Sequence, residues 1–202
     1  LDEATIRKLS GRDVVFYVPL GVGRYLKEWG VPADRVREFD WRDEAVLGGG
    51  HRLIAAPARH FSGRLGPIRK DNTLWASWII EGPRHRVYFG GDSGYYDGFR
   101  KIGDEYGPFD LTMLEIGAYH PNWGDIHMGP ENALRAHGDL RGRALLPIHW
   151  GTFQLALHGW KEPVEQVRAG AKERGIRLLL PEPGQPVDVS DTAVDSGWWA
   201  KI

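Results

Sequence analysis

The chain of 202 residues has no cysteine. That excludes disulfides and thiolate metal ligands, so any metal must be held by His, Asp or Glu. It also fits a reducing, cytoplasmic compartment. Charge of either sign is not in excess: 26 Lys and Arg face 27 Asp and Glu, a net charge of -1. Nothing electrostatic therefore points to nucleic acid or to an anionic surface as a partner. No apolar run approaches the roughly 20 residues of a membrane span, so no transmembrane segment is expected. Internal repeats, low-complexity stretches and obvious linkers are also missing. Methionine is scarce, with two, while tryptophan reaches nine. Aromatics of that size belong in a core or line a cleft. The remainder, 42% hydrophobic and 26% charged, suits one globular domain with a substantial core.

Local patterns divide the chain into alternating pieces. Residues 13–19 are β-rich and end in Pro; residues 21–30 carry Val22, Tyr25, Leu26 and Trp29 at helical spacing. Short strands are predicted at 35–39 and 41–46. Gly48-Gly49-Gly50 then turns the chain into a strand at 51–56. A strand over 73–81 pairs through the turn Gly82-Pro83-Arg84-His85 with one at 86–89, the clearest hairpin in the sequence. From there helices at 96–106, 130–138 and 162–175 alternate with strands at 110–116, 143–148 and 177–180, and a late strand is predicted at 187–189. Strands first, then strand and helix in alternation, predict an α/β domain with the sheet inside and helices outside. Trp75 and Trp78 are expected to share one face of the 73–81 strand, in the core.

One stretch organises the chemistry. In Val87-Tyr88-Phe89-Gly90-Gly91-Asp92-Ser93-Gly94-Tyr95 an apolar run ends in two glycines and an acid follows. Asp92 is either a helix cap or a carboxylate presented at a strand tip. His60 and His149 have the same kind of position, each within a few residues after an apolar strand. Such residues converge on one rim of a sheet if the strands are suitably paired, and two imidazoles with a carboxylate suit zinc. Taken singly, each has an ordinary reading as a satisfied loop residue.

Six blocks in order carry a resemblance. They are Ala58-Arg59-His60-Phe61-Ser62-Gly63-Arg64, Asp71-Asn72-Thr73-Leu74-Trp75, Phe89-Gly90-Gly91-Asp92-Ser93-Gly94-Tyr95, Gly107-Pro108-Phe109-Asp110, Ile116-Gly117-Ala118-Tyr119 and Ile148-His149-Trp150-Gly151-Thr152-Phe153. Together they resemble the metallo-β-lactamase fold superfamily, and within it the branch of N-acylphosphatidylethanolamine-hydrolysing phospholipase D and its bacterial relatives. The resemblance implies an αββα sandwich and a dinuclear zinc site. His60 would bind the first zinc, Asp92 would bridge both, and His149 would bind the second. It implies a hydrolase in which a metal-bound hydroxide attacks a phosphodiester of a phospholipid-like or other small substrate, met in the cytoplasm or at a membrane periphery. A lactonase or other ester hydrolase on the same metals is the alternative. A non-catalytic scaffold subunit is another, and retention of all three ligand types argues against it.

The family's H-x-H-x-D-H motif, followed in this branch by Leu-Asp, is absent, and the chain opens with Leu1-Asp2. The resemblance therefore implies the carboxyl-terminal part of such an enzyme, a sandwich missing its first strands. The domain is expected over 1–189, with 190–202 a peripheral tail whose Trp198-Trp199 pair suggests that it docks. With two protein ligands per metal, zinc is expected to bind weakly or partially and the chain alone to be inactive. A bared sheet face is expected to be covered by a partner chain carrying the missing half, or by self-association.

His127, in Asp125-Ile126-His127-Met128-Gly129-Pro130-Glu131, resembles a His that the family places near the metals. It is expected to be catalytic, holding an oxyanion or protonating the leaving group; the alternative is a His that only orders its loop. His120 stands where relatives have Glu, in Gly117-Ala118-Tyr119-His120-Pro121, and is a substrate-binding candidate. His137 is expected to be structural, and His51, His85 and His158 solvated at turns. Ser93 lacks the strained elbow of a nucleophilic serine.

Overall fold

The computed structural model describes residues 1–63, 71–123, 126–190, 192 and 194–202. Helix α1 (Glu3–Ser10) begins at Asp2, whose carboxylate accepts the Thr5 N–H at 2.7 Å, a side-chain cap that satisfies one of the free donors of the first turn. It packs Ile6 against Val18 of β1 (Phe16–Pro19) and against Val22 and Leu26 of the α2 region (Gly23–Glu28). Strand β1 pairs in parallel with β2 (Val36–Phe39) as a small separate sheet.

The large sheet has eight strands in the order β10-β9-β8-β7-β6-β5-β4-β3. Its antiparallel part is β3 (Glu44–Leu47), β4 (His51–Ala56), β5 (Ser77–Glu81) and β6 (Arg86–Phe89). The two predicted turns join β3 to β4 and β5 to β6. Gly49 and Gly50 take φ of 71° and 76°, which side chains resist. From β6 onward pairing is parallel, through β7 (Leu111–Glu115), β8 (Ala144–Ile148), β9 (Arg177–Leu180) and β10 (Val194–Asp195). Helices α3 (Gly98–Tyr106), α4 (Gly129–Asp139) and α5 (Glu162–Glu173) are the crossovers, as parallel strands require.

Strand alternation decides which face the helices cover. Ile54, Ile79 and Tyr88 lie opposite one another in register and bury with Phe99, Leu134 and Val167 of the three helices. The other face carries Trp78, Ile80, Val87 and Phe89, of which Ile80 is 39% and Phe89 36% exposed. The small sheet reaches this face where Phe39 meets Trp78 edge-on at 5.9 Å.

Three expectations change. The strand predicted over 73–81 begins only at Ser77, so Trp75 and Trp78 do not share a face. Trp75 lies in the approach and donates its indole N–H to the Ala58 carbonyl, while Trp78 packs on Phe39. Three residues apart on a strand would in any case point to opposite sides. Residues 187–189 form no strand; Val189 instead packs near Leu111 and Leu179, and its carbonyl accepts from Arg177. Beyond Ser190 the chain stays on the domain: Val194–Asp195 pairs with β9, and Trp199 is 1% exposed, donating to Glu165 at 2.6 Å.

Candidate metal centre

The candidate residues meet at the carboxyl ends of the strands, where open α/β sheets hold ligands. After β6, Gly90 passes so close to β7 that a Cβ there would lie 3.1 Å from the Met113 carbonyl. The buried Ser77 hydroxyl donates to the Gly90 carbonyl at 2.7 Å, and Gly91 turns with φ 60°. That turn delivers Asp92. After β8, His149 itself adopts φ 60°, a conformation unusual for a side-chain-bearing residue. Gly117 makes room for it: a Cβ on Gly117 would sit 2.3 Å from the His149 carbonyl oxygen. His60 leaves β4 on a loop tied to the Asp92 segment. The Arg59 N–H donates to Ser93 Oγ, and Gly94 N–H donates to the Arg59 carbonyl, at 3.0 and 2.8 Å.

His60 Nε2 lies 3.9 Å, and His149 Nε2 3.6 Å, from the same Asp92 oxygen. Asp92 is 43% exposed, so the shared carboxylate faces outward between two more enclosed imidazoles. His127 is inserted between them, its ring 5.4 Å from that of His60 and 5.1 Å from that of His149, nearly parallel to the latter.

Glu115, the last residue of β7, is the group that sequence reasoning missed. It is 0% exposed. Its Oε2 lies 2.6 Å from His127 Nδ1 and 3.5 Å from His149 Nδ1; its Oε1 accepts the backbone N–H groups of Met128 and Ser93 at 3.0 and 3.2 Å. The signal was present: one acid inside an apolar strand must find partners, because an unpaired buried charge is costly.

These contacts set the protonation of the cluster. Burial pushes the Glu115 carboxyl up, against the opposing pull of His127. Burial also disfavours a charged His127, but the bond to Glu115 and the charges of Glu115 and Asp92 outweigh it, and its pKa is raised. Burial lowers the pKa of His60, with Asp92 only partly compensating. His60 is thereby held in the neutral form that ligates metals.

The donor set fits a divalent cation. Nε2 of His60 and Nε2 of His149 both turn to one Asp92 oxygen, while Nδ1 of His149 lies on the enclosed side, 3.5 Å from Glu115. Two ligands on one zinc-like ion, each at about 2.0–2.1 Å, sit about 3.2–3.6 Å apart at tetrahedral to trigonal angles. The observed 3.6 and 3.9 Å are too long for hydrogen bonds and near that separation.

The other candidates sort differently. His120 Nδ1 accepts the Asn122 N–H at 3.2 Å and its ring stands beside Trp123 at 5.7 Å. Among the described residues no hydrogen bond, ion pair or ring contact joins it to Asp92 or His149. Asp125 lies outside the described residues. His137 is buried against Thr112 Oγ1 at 2.8 Å. His158 is not simply solvated: its Nε2 accepts the Ala118 N–H at 3.0 Å and its ring stacks on Tyr119. Its turn folds back over the end of β7, which a local reading could not foresee. Ser93 is fully buried, and its hydroxyl is committed to Arg59 and Gly94.

A family model described as a beta-lactamase superfamily domain matches residues 1–150. The uncharacterized protein Rv0906 of Mycobacterium tuberculosis is 49% identical over 203 residues, covering 98% of this chain and 54% of the relative. The N-acyl-phosphatidylethanolamine-hydrolyzing phospholipase D 1 of Caenorhabditis elegans is 34% identical over 166 residues, covering 77% of this chain and 46% of the relative. The chain thus spans about half the length of these curated relatives. Among solved structures, Igni18, a metallo hydrolase from the archaeon Ignicoccus hospitalis, superposes with a TM-score of 0.70 at 22% identity, over 91% of this chain and 72% of that one. That similarity speaks to the fold, a metallo-β-lactamase-like α/β arrangement.

Proposed function

The chain belongs to the beta-lactamase superfamily, and from that premise we propose that it is part of a zinc-dependent phosphodiester hydrolase of phospholipase D type, centred on Asp92. The observation that carries the reading is the pair of imidazole Nε2 atoms 3.9 and 3.6 Å from one Asp92 oxygen. Two imidazoles and a carboxylate suit zinc. Divalent cations held there would supply Lewis acidity and an ionised water near neutral pH.

The chain's own residues supply the rest. Asp92 sets one carboxylate between two imidazoles, so it can serve two cations and offset their mutual repulsion. His60 and His149 hold from either side. His127 has Nδ1 committed to Glu115, which leaves Nε2 to protonate the departing alkoxide or to hold developing negative charge. Its raised pKa keeps that proton available near neutrality. As a substrate contact His120 would act from its loop beside Trp123, since no contact among the described residues joins it to Asp92 or His149.

The substrate class rests on similarity to the C. elegans relative, which is named for hydrolysing N-acyl-phosphatidylethanolamine. No described helix is long and apolar enough to cross a membrane. A phospholipid-like substrate would be met at a membrane surface, and the lack of cysteine fits the cytoplasmic side. His60, Asp92 and His149 give each of two cations two protein ligands, whereas a catalytic zinc takes three. We place the remaining ligands outside the described residues, on polypeptide carrying the H-x-H-x-D-H motif; a second copy of this chain could cover the bare sheet face but would not bring that motif.

Zinc-loaded protein, completed by that polypeptide, should hydrolyse bis(p-nitrophenyl) phosphate faster than p-nitrophenyl acetate or a simple lactone. Preference for the carboxylic ester would move the reading to an ester hydrolase on the same centre. A fully metal-loaded protein that hydrolyses neither would be a scaffold.

A further inference from the structure

Glu115 is a fully buried acid with three hydrogen bonds among the described residues, and nothing in the hydrolytic scheme requires it to touch substrate. Its two oxygens take three hydrogen bonds from two segments and face an imidazole of a third. Oε1 receives the N–H of Ser93, the residue after Asp92, and the N–H of Met128, the residue after His127. Oε2 receives His127 Nδ1 and faces His149 Nδ1. One side chain therefore touches the Asp92 loop, the His127 loop and the ring of His149.

A buried carboxylate among imidazoles could be a metal ligand, and its atoms lie close enough to those of His127 and His149 to suggest one. Oε2 faces His149 Nδ1 at 3.5 Å, within ligand spacing, but the same oxygen is committed to His127. Ligands of one zinc-like ion sit about 3.2–3.6 Å apart, whereas Glu115 Oε2 and His127 Nδ1 are 2.6 Å apart. That is a short, charge-assisted hydrogen bond with no room for a cation between its ends. The second oxygen is already occupied by two backbone donors.

We propose that Glu115 is a positioning residue: it holds the Nδ1 proton of His127, in the neutral ring as in the doubly protonated one, and fixes the placement of the Asp92 and His127 loops, so that His127 Nε2 is turned away from Glu115. Imidazole geometry makes the consequence definite. A ring that donates from Nδ1 to Glu115 has only Nε2 left for a metal or a substrate, and His127 presents it from between His60 and His149. Without Glu115 the ring could rotate or change tautomer, and the Asp92 turn would lose the anchor on Ser93. The role of this device rests on the metal-centre reading; the device itself does not.

Glu115→Gln tests it, because Gln keeps the shape but cannot accept from Oε1 and Oε2 together. Two readouts separate the possibilities. In metal-free protein, nitrogen NMR of labelled histidines should show His127 Nδ1 protonated in the wild type and unprotonated, with Nε2 protonated, in the variant. Titration with zinc alone should show unchanged stoichiometry and affinity weaker by about 10- to 100-fold, as for loss of an outer-shell partner. Loss of a zinc equivalent would make Glu115 a ligand and overturn the proposal. An unchanged His127 tautomer with unchanged zinc affinity would also overturn it. If the variant fails to fold, the wild-type spectrum decides: a neutral His127 protonated at Nε2 contradicts the assignment. If the wild type binds no zinc, the metal-centre reading fails, and the tautomer measurement still decides the role of Glu115.

Discussion

His137 and His127 are both enclosed by protein, and their neighbours give them opposite properties. His127 has a carboxylate at 2.6 Å and its pKa rises. Among the described residues His137 bonds to the Thr112 hydroxyl, and burial depresses its pKa to about 4. An unfolded histidine titrates near 6.5, so between those values the unfolded chain binds more protons than the folded one. The stability contributed by neutral His137 is complete above about pH 6.5, falls as pH is lowered, and stops falling below about pH 4. The total is about 3 kcal/mol. Urea unfolding at pH 7 and pH 4.5 should show the decline, and His137→Gln should flatten it; an equal decline in the variant would assign it elsewhere. At this scale the convergence of His60, Asp92 and His149 on one rim followed from their places after apolar strands, whereas their reading as metal ligands came from the resemblance. Glu115 was not legible, because Met113, Leu114 and Ile116 around it read as uninterrupted core.

At the scale of elements, the site depends on how closely strand ends approach. Gly117 lies against the His149 backbone, and Gly117→Ala would force a Cβ to within 2.3 Å of the His149 carbonyl oxygen. That contact is with backbone, which cannot swing aside. The substitution should destabilise the protein by about 1–3 kcal/mol and weaken zinc binding by displacing His149. Denaturation and a zinc titration measure the two effects. Unchanged zinc affinity in a folded variant would show that the approach does not position the ligand. The hairpins and crossover helices were readable from turn residues and apolar spacing. The start of β5 was not: Thr73 to Ala76 looks strand-like locally, but Leu74 N–H bonds to the Leu20 carbonyl and Trp75 to Ala58, and these tertiary partners hold the segment out of the sheet. The 187–189 segment failed for the same reason, since β10 takes the place beside β9.

Across the whole molecule, the final residues help to close the core. Trp199 buries with Val164, Val167 and Leu180 in the main cluster and Trp198 stacks on Trp150, next to His149. Trp199→Ala should cost about 3–5 kcal/mol, read from urea unfolding; a cost under about 1 kcal/mol would show the segment to be ornamental. The opposite situation holds on the far side of the sheet, where Phe89 and Ile80 remain partly exposed beside Val87. Among the described residues the small β1–β2 sheet covers part of that face, where Phe39 meets Trp78. Sequence patterning identified the layers, but it carried no information about how the last tryptophans dock.

The most direct test of the metal centre is a zinc titration on protein of verified intact mass, comparing wild type with Asp92→Asn. Asp92 is outward-facing and makes no core contact, so the variant should fold normally. Wild type should take up zinc, weakly where only these residues are present. The variant should lose affinity by more than the roughly 10- to 100-fold typical of outer-shell changes. Equal zinc affinity in the two proteins would contradict the account.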